Sequence, residues 1–242
     1  MSEAESGAMQ ETALRFFGGL AKSYERLLDL ATVYQDRRWK AWAEQWIPSG
    51  ESRVLDLGCG TLLLEERMAG LKPRFVGLDL TFGMIRVGRM KELHNVELLV
   101  NGDAEGLPFP AESFDCIVSC YVPKYVNLRK LADELARVAK PGSTVVLYDF
   151  ARPRGAYAPF LELYIQGGLR IAGRALRMRK SPAADVFERL PEIIDGTDWD
   201  HRVVGLMEER GFRTLVARPL TGGAVFAYCG RKSAIGQSAN KA

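Results

Sequence analysis

The stretch Arg53-Val54-Leu55-Asp56-Leu57-Gly58-Cys59-Gly60 constrains this chain more than any other. A short apolar run that ends in an acid and then two glycines one residue apart is how a buried parallel strand turns tightly into a helix beside a ligand. Twenty-one residues after Gly58, Asp79 closes a second apolar run, Phe75-Val76-Gly77-Leu78. That is the spacing at which an acid accepts hydrogen bonds from ribose hydroxyls. Together the two features mark a nucleotide site.

The third glycine that a dinucleotide fingerprint needs, to let a helix pack closely beside a pyrophosphate, is absent: Leu63 stands there. The run Leu62-Leu63-Leu64 suggests a ligand without a pyrophosphate. S-adenosylmethionine (SAM) fits, because its ribose needs an acid such as Asp79 and its cationic methionine end suits an acid such as Asp56. Taken alone, the GxG turn is also compatible with a tight turn in any parallel sheet.

Composition narrows the alternatives. With 33 basic and 30 acidic residues the net charge is +3, which gives no global case for nucleic acid. The cysteines Cys59, Cys116, Cys120 and Cys229 fall in or beside expected strands, and His94 and His201 are the only histidines, so the usual zinc spacings are missing and no metal is expected. No charged-then-apolar leader and no apolar run of about 18 residues is present, so a cytoplasmic protein is expected.

Residues 1–10 are small and polar and read as a disordered N-terminus, and residues 11–47 as a helical lid of two helices broken near Thr32-Val33-Tyr34. A regular alternation follows. Strands are expected at Arg53–Leu57, Arg74–Leu80, Val96–Val100, Phe114–Cys120 and Thr144–Phe150, with helices at Leu62–Ala69, Phe82–Leu93 and Asn127–Ala139. This pattern argues a parallel sheet covered by helices on both faces, with the ligand at the carboxyl ends of the strands. Asp56, Asp79, Asp103, Cys120 and Asp149 all end or follow strands there. The acid of Asn101-Gly102-Asp103-Ala104 could read an adenine amine, or could be a solvated turn residue.

Residues 158–200 read as a helical insertion. Leu161, Ile165, Leu169, Ala172 and Leu176 fall on one helical face and Arg170, Arg174 and Arg177 largely on another, so 158–180 could meet a membrane surface or simply expose its arginines. Trp199–Arg210 is a further helix. Phe212–Leu220 and Ala224–Cys229, joined by Thr221-Gly222-Gly223, read as a closing hairpin, and residues 233–242 as a disordered tail.

Over residues 50–232 the chain resembles the class I SAM-dependent methyltransferases. The resemblance is carried by the GxG turn, Asp79, Gly102 to Phe109, Ser113-Phe114-Asp115 and Leu135 to Gly142. It implies an α/β Rossmann-like fold with a seven-stranded, mostly parallel sheet of order 3-2-1-4-5-7-6. Within that group the chain looks most like the ubiquinone/menaquinone ring C-methyltransferases, through Phe17, Ala21, Tyr24, Asp29, Arg37, Trp39-Lys40, Met84-Ile85, Val87-Gly88-Arg89 and Leu220 to Val225. On matched positions the resemblance implies SAM contacts from Thr61, Asp79, Asp103, Ala104 and Cys120, which with Asp56, Gly58, Gly60 and Leu80 make up the expected cofactor site.

Three departures bear on the substrate. Leu62-Leu63 replaces the family's Gly-Asp, so a position of close backbone approach carries a side chain; Lys124-Tyr125 replaces Arg-Asn; and Asp36 replaces a histidine. Three functions follow as expectations: ring C-methylation of a prenylated, demethylmenaquinol-like quinol; N-, O- or C-methylation of a soluble small molecule; or a non-catalytic SAM-fold binding or assembly factor. Tyr24, Tyr121, Lys124 and Asp149 are the candidates to orient or deprotonate a hydroxyl. On the first reading the substrate is lipid-soluble and 158–180 touches the bilayer.

Overall fold

The computed structural model describes residues 3–181 and 183–234. Helices α1 (Glu3–Gly18), α2 (Tyr24–Ala31) and α3 (Asp36–Glu44) precede a sheet of β1 (Arg53–Leu57), β2 (Arg74–Asp79), β3 (Val96–Asn101), β4 (Phe114–Cys120), β5 (Ala139–Phe150), β6 (Phe212–Leu220) and β7 (Val225–Lys232). The strand order is β3-β2-β1-β4-β5-β7-β6. The first five strands run parallel, and β7 runs antiparallel to both β5 and β6. This is the Rossmann-like architecture that the strand and helix alternation predicts. Asp56 lies opposite Gly77 on one side and Val118 on the other, which puts the ends of β1, β2 and β4 level.

The connections are α4 (Leu63–Arg67), α5 (Phe82–Arg89) and α6 (Leu128–Val138); after β5 come α7 (Ala158–Glu162), a π-helical turn at Leu163–Gly168, α8 (Leu169–Met178), α9 (Ala184–Gly196) and α10 (Trp199–Glu209). Parallel strands buried on both faces read as continuous apolar runs, and the core is accordingly double. On one face Leu55, Leu57, Ile117, Val145 and Leu147 pack with Leu131 and Leu135 of α6 and Val203 and Leu206 of α10. On the other, Val54, Phe75, Val118 and Val146 pack with Trp39 and Trp42 of α3 and Leu64 of α4. Helix α6 is capped by Asn127, whose side chain accepts from the N–H groups of Arg129 and Lys130.

Several expectations are corrected. Disorder was expected over residues 1–10, but α1 starts at Glu3, because Ala13 and Phe16 bury its far end and Gln10 bonds to Asp103. The segment to Ile47 holds three helices rather than two, with Val33 and Tyr34 in left-handed conformation at the expected break. The apolar face of 158–180 does not face outward: Ile165 and Leu169 are buried in a cluster with Phe187, Leu190 and Ile194 of α9. Arg177 pairs with Asp185 and Glu188, and Arg170 approaches Glu192, so two of the three arginines are held by α9. Ser233 still bonds to Gly211; the rest of the expected tail from residue 235, and residues 1 and 2, lie outside the described residues. Among the described residues no helix is long and apolar enough to cross a membrane.

Asp56 and Glu65 face each other beneath the β1 turn, 3% and 0% exposed. Neither oxygen of Glu65 nor Oδ1 of Asp56 meets another donor, so the pair is satisfied only when one carboxyl carries a proton and donates it. Burial pushes Asp56 from its ordinary 3.8 up to about 7, and burial followed by the Asp56 charge pushes Glu65 well above 4.5. The folded state therefore keeps protons that the unfolded chain releases. Stability contributed here is full below about pH 4 and falls as pH rises through 7. Glu65→Gln, which donates at every pH, is expected to flatten that slope and add about 1–3 kcal/mol at pH 8, read from urea unfolding between pH 5 and 8. An unchanged slope would show that the pair does not share a proton.

Candidate active site

The turn after β1 is shaped by two left-handed glycines, Gly58 at φ 81° and Gly60 at φ 55°. A Cβ on Gly58 would lie 2.3 Å from Val122 Cγ2, so only glycine lets the exit of β4 close on this turn. The Gly60 N–H donates to Asp79 Oδ2 at 2.9 Å and the Thr81 N–H to Oδ1 at 2.7 Å. Burial raises the Asp79 carboxyl from its ordinary value, and the two amide bonds and the Thr81 hydroxyl act against that rise. The carboxylate still keeps acceptor capacity to spare.

One strand further out, both oxygens of Asp103 accept from the Gln10 amide of α1 at 3.1 Å, and Oδ1 also accepts from the Glu105 N–H at 2.9 Å. A lid residue thus offers the acid an NH₂ donor, the same chemistry an adenine amine would offer. Gln10, Ala13 and Phe17 of α1 and Tyr24 of α2 close over a cleft of about 680 Å³ whose floor holds Gly58, Gly60, Asp79, Leu80, Met84, Asp103, Ala104, Cys120 and Val122.

Seven of the nine residues expected around a nucleotide therefore line one cleft, and two do not. Asp56 lies behind the turn with Glu65, because its strand position points it into the sheet's covered face. Thr61 is 1% exposed and donates its hydroxyl to Glu25 at 2.9 Å, which ties the turn to α2. Leu62 does not block the cleft. Its φ of 64° costs about 1–2 kcal/mol for a residue with a Cβ, and it sends the side chain into the space above Gly88, where a Cβ would come within 2.7 Å of Leu62 Cγ. Gln10, Phe17 and Met84 were not singled out for this site, since nothing local in sequence says that a distant helix folds back over a strand end.

Beside the cleft is an apolar chamber of about 540 Å³, and Phe17, Tyr24, Tyr121 and Tyr125 form a wall common to both. Leu20, Leu27, Leu28, Ala31, Phe150, Val186, Phe187 and Leu190 complete it, and Lys124 is its one charged lining residue among the described residues. Lys124 Nζ is 2.6 Å from Asp149 Oδ1 and 4.3 Å from the Tyr125 ring centre. Asp149 does not line the chamber; it accepts from Lys124 Nζ and from the N–H groups of Lys124 and Phe150, which leaves it no role as a free base. Burial pushes Lys124 down and Asp149 up, and each ion is the other's main counterweight. Burial also drives the Tyr24 and Tyr121 phenols well above 10, so both are hydrogen-bond donors and not phenolates.

A family model described as a methyltransferase domain matches residues 55–147. The demethylmenaquinone methyltransferase of Staphylococcus epidermidis is 30% identical over 95% of this chain and 96% of its own, and that of Tropheryma whipplei 32% identical over 87% of each. The chain belongs to this family of SAM-dependent methyltransferases. The methyltransferase shares its fold with SAM-dependent methyltransferases from Aquifex aeolicus (TM-score 0.55, 17% identity, 79% of this chain and 88% of that one) and Mesorhizobium loti (TM-score 0.57, 15% identity, 80% and 97%). S-adenosylmethionine is the cofactor, and the cleft of this methyltransferase suits it: Asp79 has spare acceptor capacity for ribose hydroxyls, and Asp103 is already partnered by an NH₂ group.

Asp79→Asn keeps the size but loses the charge and one acceptor. It is expected to weaken S-adenosylhomocysteine binding about tenfold to hundredfold in calorimetric titration, with the unfolding transition retained. Equal affinity would place the ribose elsewhere.

Proposed function

We propose that the enzyme C-methylates the ring of a prenylated, demethylmenaquinol-like quinol. The observation that carries this reading is the chamber: it adjoins the SAM cleft through a common aromatic wall and is lined by aliphatic and aromatic side chains, with the hydroxyls of Tyr24, Tyr121 and Tyr125 and the Lys124 ammonium as its few polar groups. An apolar ring with one or two hydroxyls suits such a space. A soluble amine or polyhydroxylated acceptor would lose its hydration there without replacement bonds.

On this reading Gly58, Gly60, Asp79, Leu80, Asp103, Ala104 and Cys120 hold SAM, which supplies an electrophilic methyl group on sulfur. The protein's share is to hold the ring carbon against that methyl and to manage charge on the ring oxygens. Lys124, buried and aimed between aromatic rings, stabilises negative charge on an oxygen, and Tyr24 orients a hydroxyl from the lid side. Ala31 and Phe150 border both the chamber and a further space of about 820 Å³ under α7 and α8, walled by Leu161, Tyr164, Ile165, Leu169 and Ile194. That space accommodates the start of a prenyl tail.

The outer row of the same segment supports a bilayer contact. Tyr157, Phe160, Leu163, Ile171 and Met178 are 67%, 73%, 72%, 66% and 81% exposed, with Arg174, Arg179 and Lys180 beside them. Exposed aromatic and aliphatic side chains next to cations are suited to an anionic membrane surface.

Reduced demethylated naphthoquinones with and without a prenyl tail, presented in detergent with SAM, are expected to gain a ring methyl, the tailed form with the lower KM. Faster turnover of soluble amines or simple phenols would replace this reading with that of a soluble acceptor. For the membrane contact, Phe160→Asp with Leu163→Asp is expected to lower co-sedimentation with anionic vesicles at least tenfold while leaving S-adenosylhomocysteine affinity unchanged; unaltered sedimentation would remove 158–180 from the membrane.

A further inference from the structure

Asp36, Lys40 and Tyr121 form a buried polar cluster beside the chamber. Asp36 and Lys40 of α3 are 3% and 5% exposed, and Lys40 Nζ lies 2.6 Å from both Asp36 oxygens. The Tyr121 hydroxyl donates to Asp36 Oδ1 at 2.7 Å. With its proton committed to Asp36, the Tyr121 oxygen has lone pairs left to accept one. Tyr121 also borders both cleft and chamber, and it holds a left-handed φ of 68°, a strained conformation for a bulky side chain.

We propose that Tyr121 is the group that takes the proton from the acceptor's hydroxyl and that Asp36, acting through it, is the positioning residue that receives the proton Tyr121 gives up. The proposal rests on the reading above that the acceptor is a hydroxylated ring. Of the other three candidates, Tyr24 has the orienting role already given, Asp149 already accepts three hydrogen bonds and lies off the chamber wall, and Lys124 is paired with it.

The step balances. As the ring carbon bonds to the methyl carbon, the methyl–sulfur bond breaks and its electron pair stays on sulfur. The ring oxygen, made acidic by the electrons drawn from it, releases its proton to Tyr121 as Tyr121 releases its own to Asp36. The ring carbon's proton then leaves to water, and the proton on Asp36 returns through Tyr121 to the ring oxygen. One proton is released to solvent per methyl transferred. A carboxylate suffices as acceptor because the hydroxyl ionises during attack, not before it. Among the described residues Lys40 on its own helix and Tyr121 after β4 bond to Asp36, and Tyr24 of α2, Cys120 of β4, Tyr148 of β5 and Arg67 of α4 lie near enough to feel its charge.

The test uses Tyr121→Phe, Asp36→Asn and the rescue variant Asp36→Glu, with the neutral double variant Asp36→Asn, Lys40→Met should the unpaired lysine prevent folding. On a quinol acceptor at pH 7, kcat is expected to fall about 10²- to 10³-fold in Asp36→Asn and Tyr121→Phe, with S-adenosylhomocysteine affinity unchanged, and to recover in Asp36→Glu. The deficit should shrink as pH rises to where the acceptor ionises unaided. A deficit independent of pH, or unchanged kcat, overturns the relay. A second readout needs no turnover: 4-nitrophenol bound in the chamber donates to Tyr121 in the wild type, which disfavours its ionisation. Its phenolate absorbance should therefore titrate about one pH unit higher in the wild type than in Asp36→Asn, the difference vanishing on a Tyr121→Phe background. No binding, or one midpoint throughout, overturns the relay. The expected midpoints with no quinol turnover by the wild type would uphold the relay and overturn the quinol reading instead.

Discussion

Two backbone N–H groups converge on one carboxylate, and the cleft depends on that clasp. The amides of Gly60 and Thr81 belong to the turns after β1 and β2, and both donate to Asp79. Because β1 and β2 are parallel neighbours in register, their ends arrive at the same level, and the turn amides of Gly60 and Thr81 lie beyond the last bonds between the two strands. A buried acid satisfies them, and they in turn make a buried acid tolerable, since charge-assisted bonds to amides offset part of its desolvation. Without the left-handed glycines the Gly60 amide could not point at Asp79. Thr61 then extends the clasp outward to Glu25 of α2, so the lid is fastened to the same turn that shapes the cleft floor.

Around the chamber the chain places two ion pairs where water is largely excluded, Lys40 with Asp36 and Lys124 with Asp149. Taking such ions out of water costs several kcal/mol each, and apolar replacements of similar volume are often no less stable. Their position explains them better than stability does. Both pairs abut Tyr121: Lys40 and Lys124 lie 5.7 and 5.6 Å from its ring centre, and Asp36 holds its hydroxyl. An apolar wall with charges fixed just behind it can receive a greasy ring and still act on its oxygens.

Much of this was legible in the sequence because its signals are local. The runs Val54 to Leu57 and Phe75 to Leu78, the glycine pair and Asp79 depend on neighbours within a few residues, and they locate the strands and the cleft. What escaped depended on contacts made at a distance. Helix α1 carries glycine and small polar residues at its start, and its position follows from docking Ala13 and Phe16 and from Gln10 meeting Asp103, 93 residues away. Leu62 looked like an obstruction because the sequence does not reveal the sign of φ; one left-handed residue turns the side chain toward Gly88 and out of the cleft. Asp56 looked like a ligand for a cation because its partner Glu65, nine residues on, reads as an ordinary helix acid until the helix is laid against the sheet. The arginines of α8 looked free until α9 brought Asp185, Glu188 and Glu192 beside them.

On the proposed reading, the wall common to cleft and chamber sets how methyl donor and acceptor can meet. Phe17 stands edge-on to both Tyr24 and Tyr125, with ring centres 5.9 and 6.0 Å apart, so residues of the lid and of the strand ends form one aromatic partition. Displacement at a methyl group requires the attacking carbon, the methyl and the sulfur to lie in line, and rate falls steeply when they do not. A partition made by the lid can be completed only when α1 and α2 are seated, which the Gln10–Asp103 and Thr61–Glu25 bonds accomplish from the cofactor side. Tyr121 completes the partition from the other side, its left-handed backbone held by its N–H to the Tyr148 carbonyl at 2.9 Å and its ring packed on Tyr148 and Phe150. Strain of this kind persists only where the surroundings over-determine it. Here they do, and the residue so fixed is the one that touches cleft, apolar chamber and buried carboxylate at once.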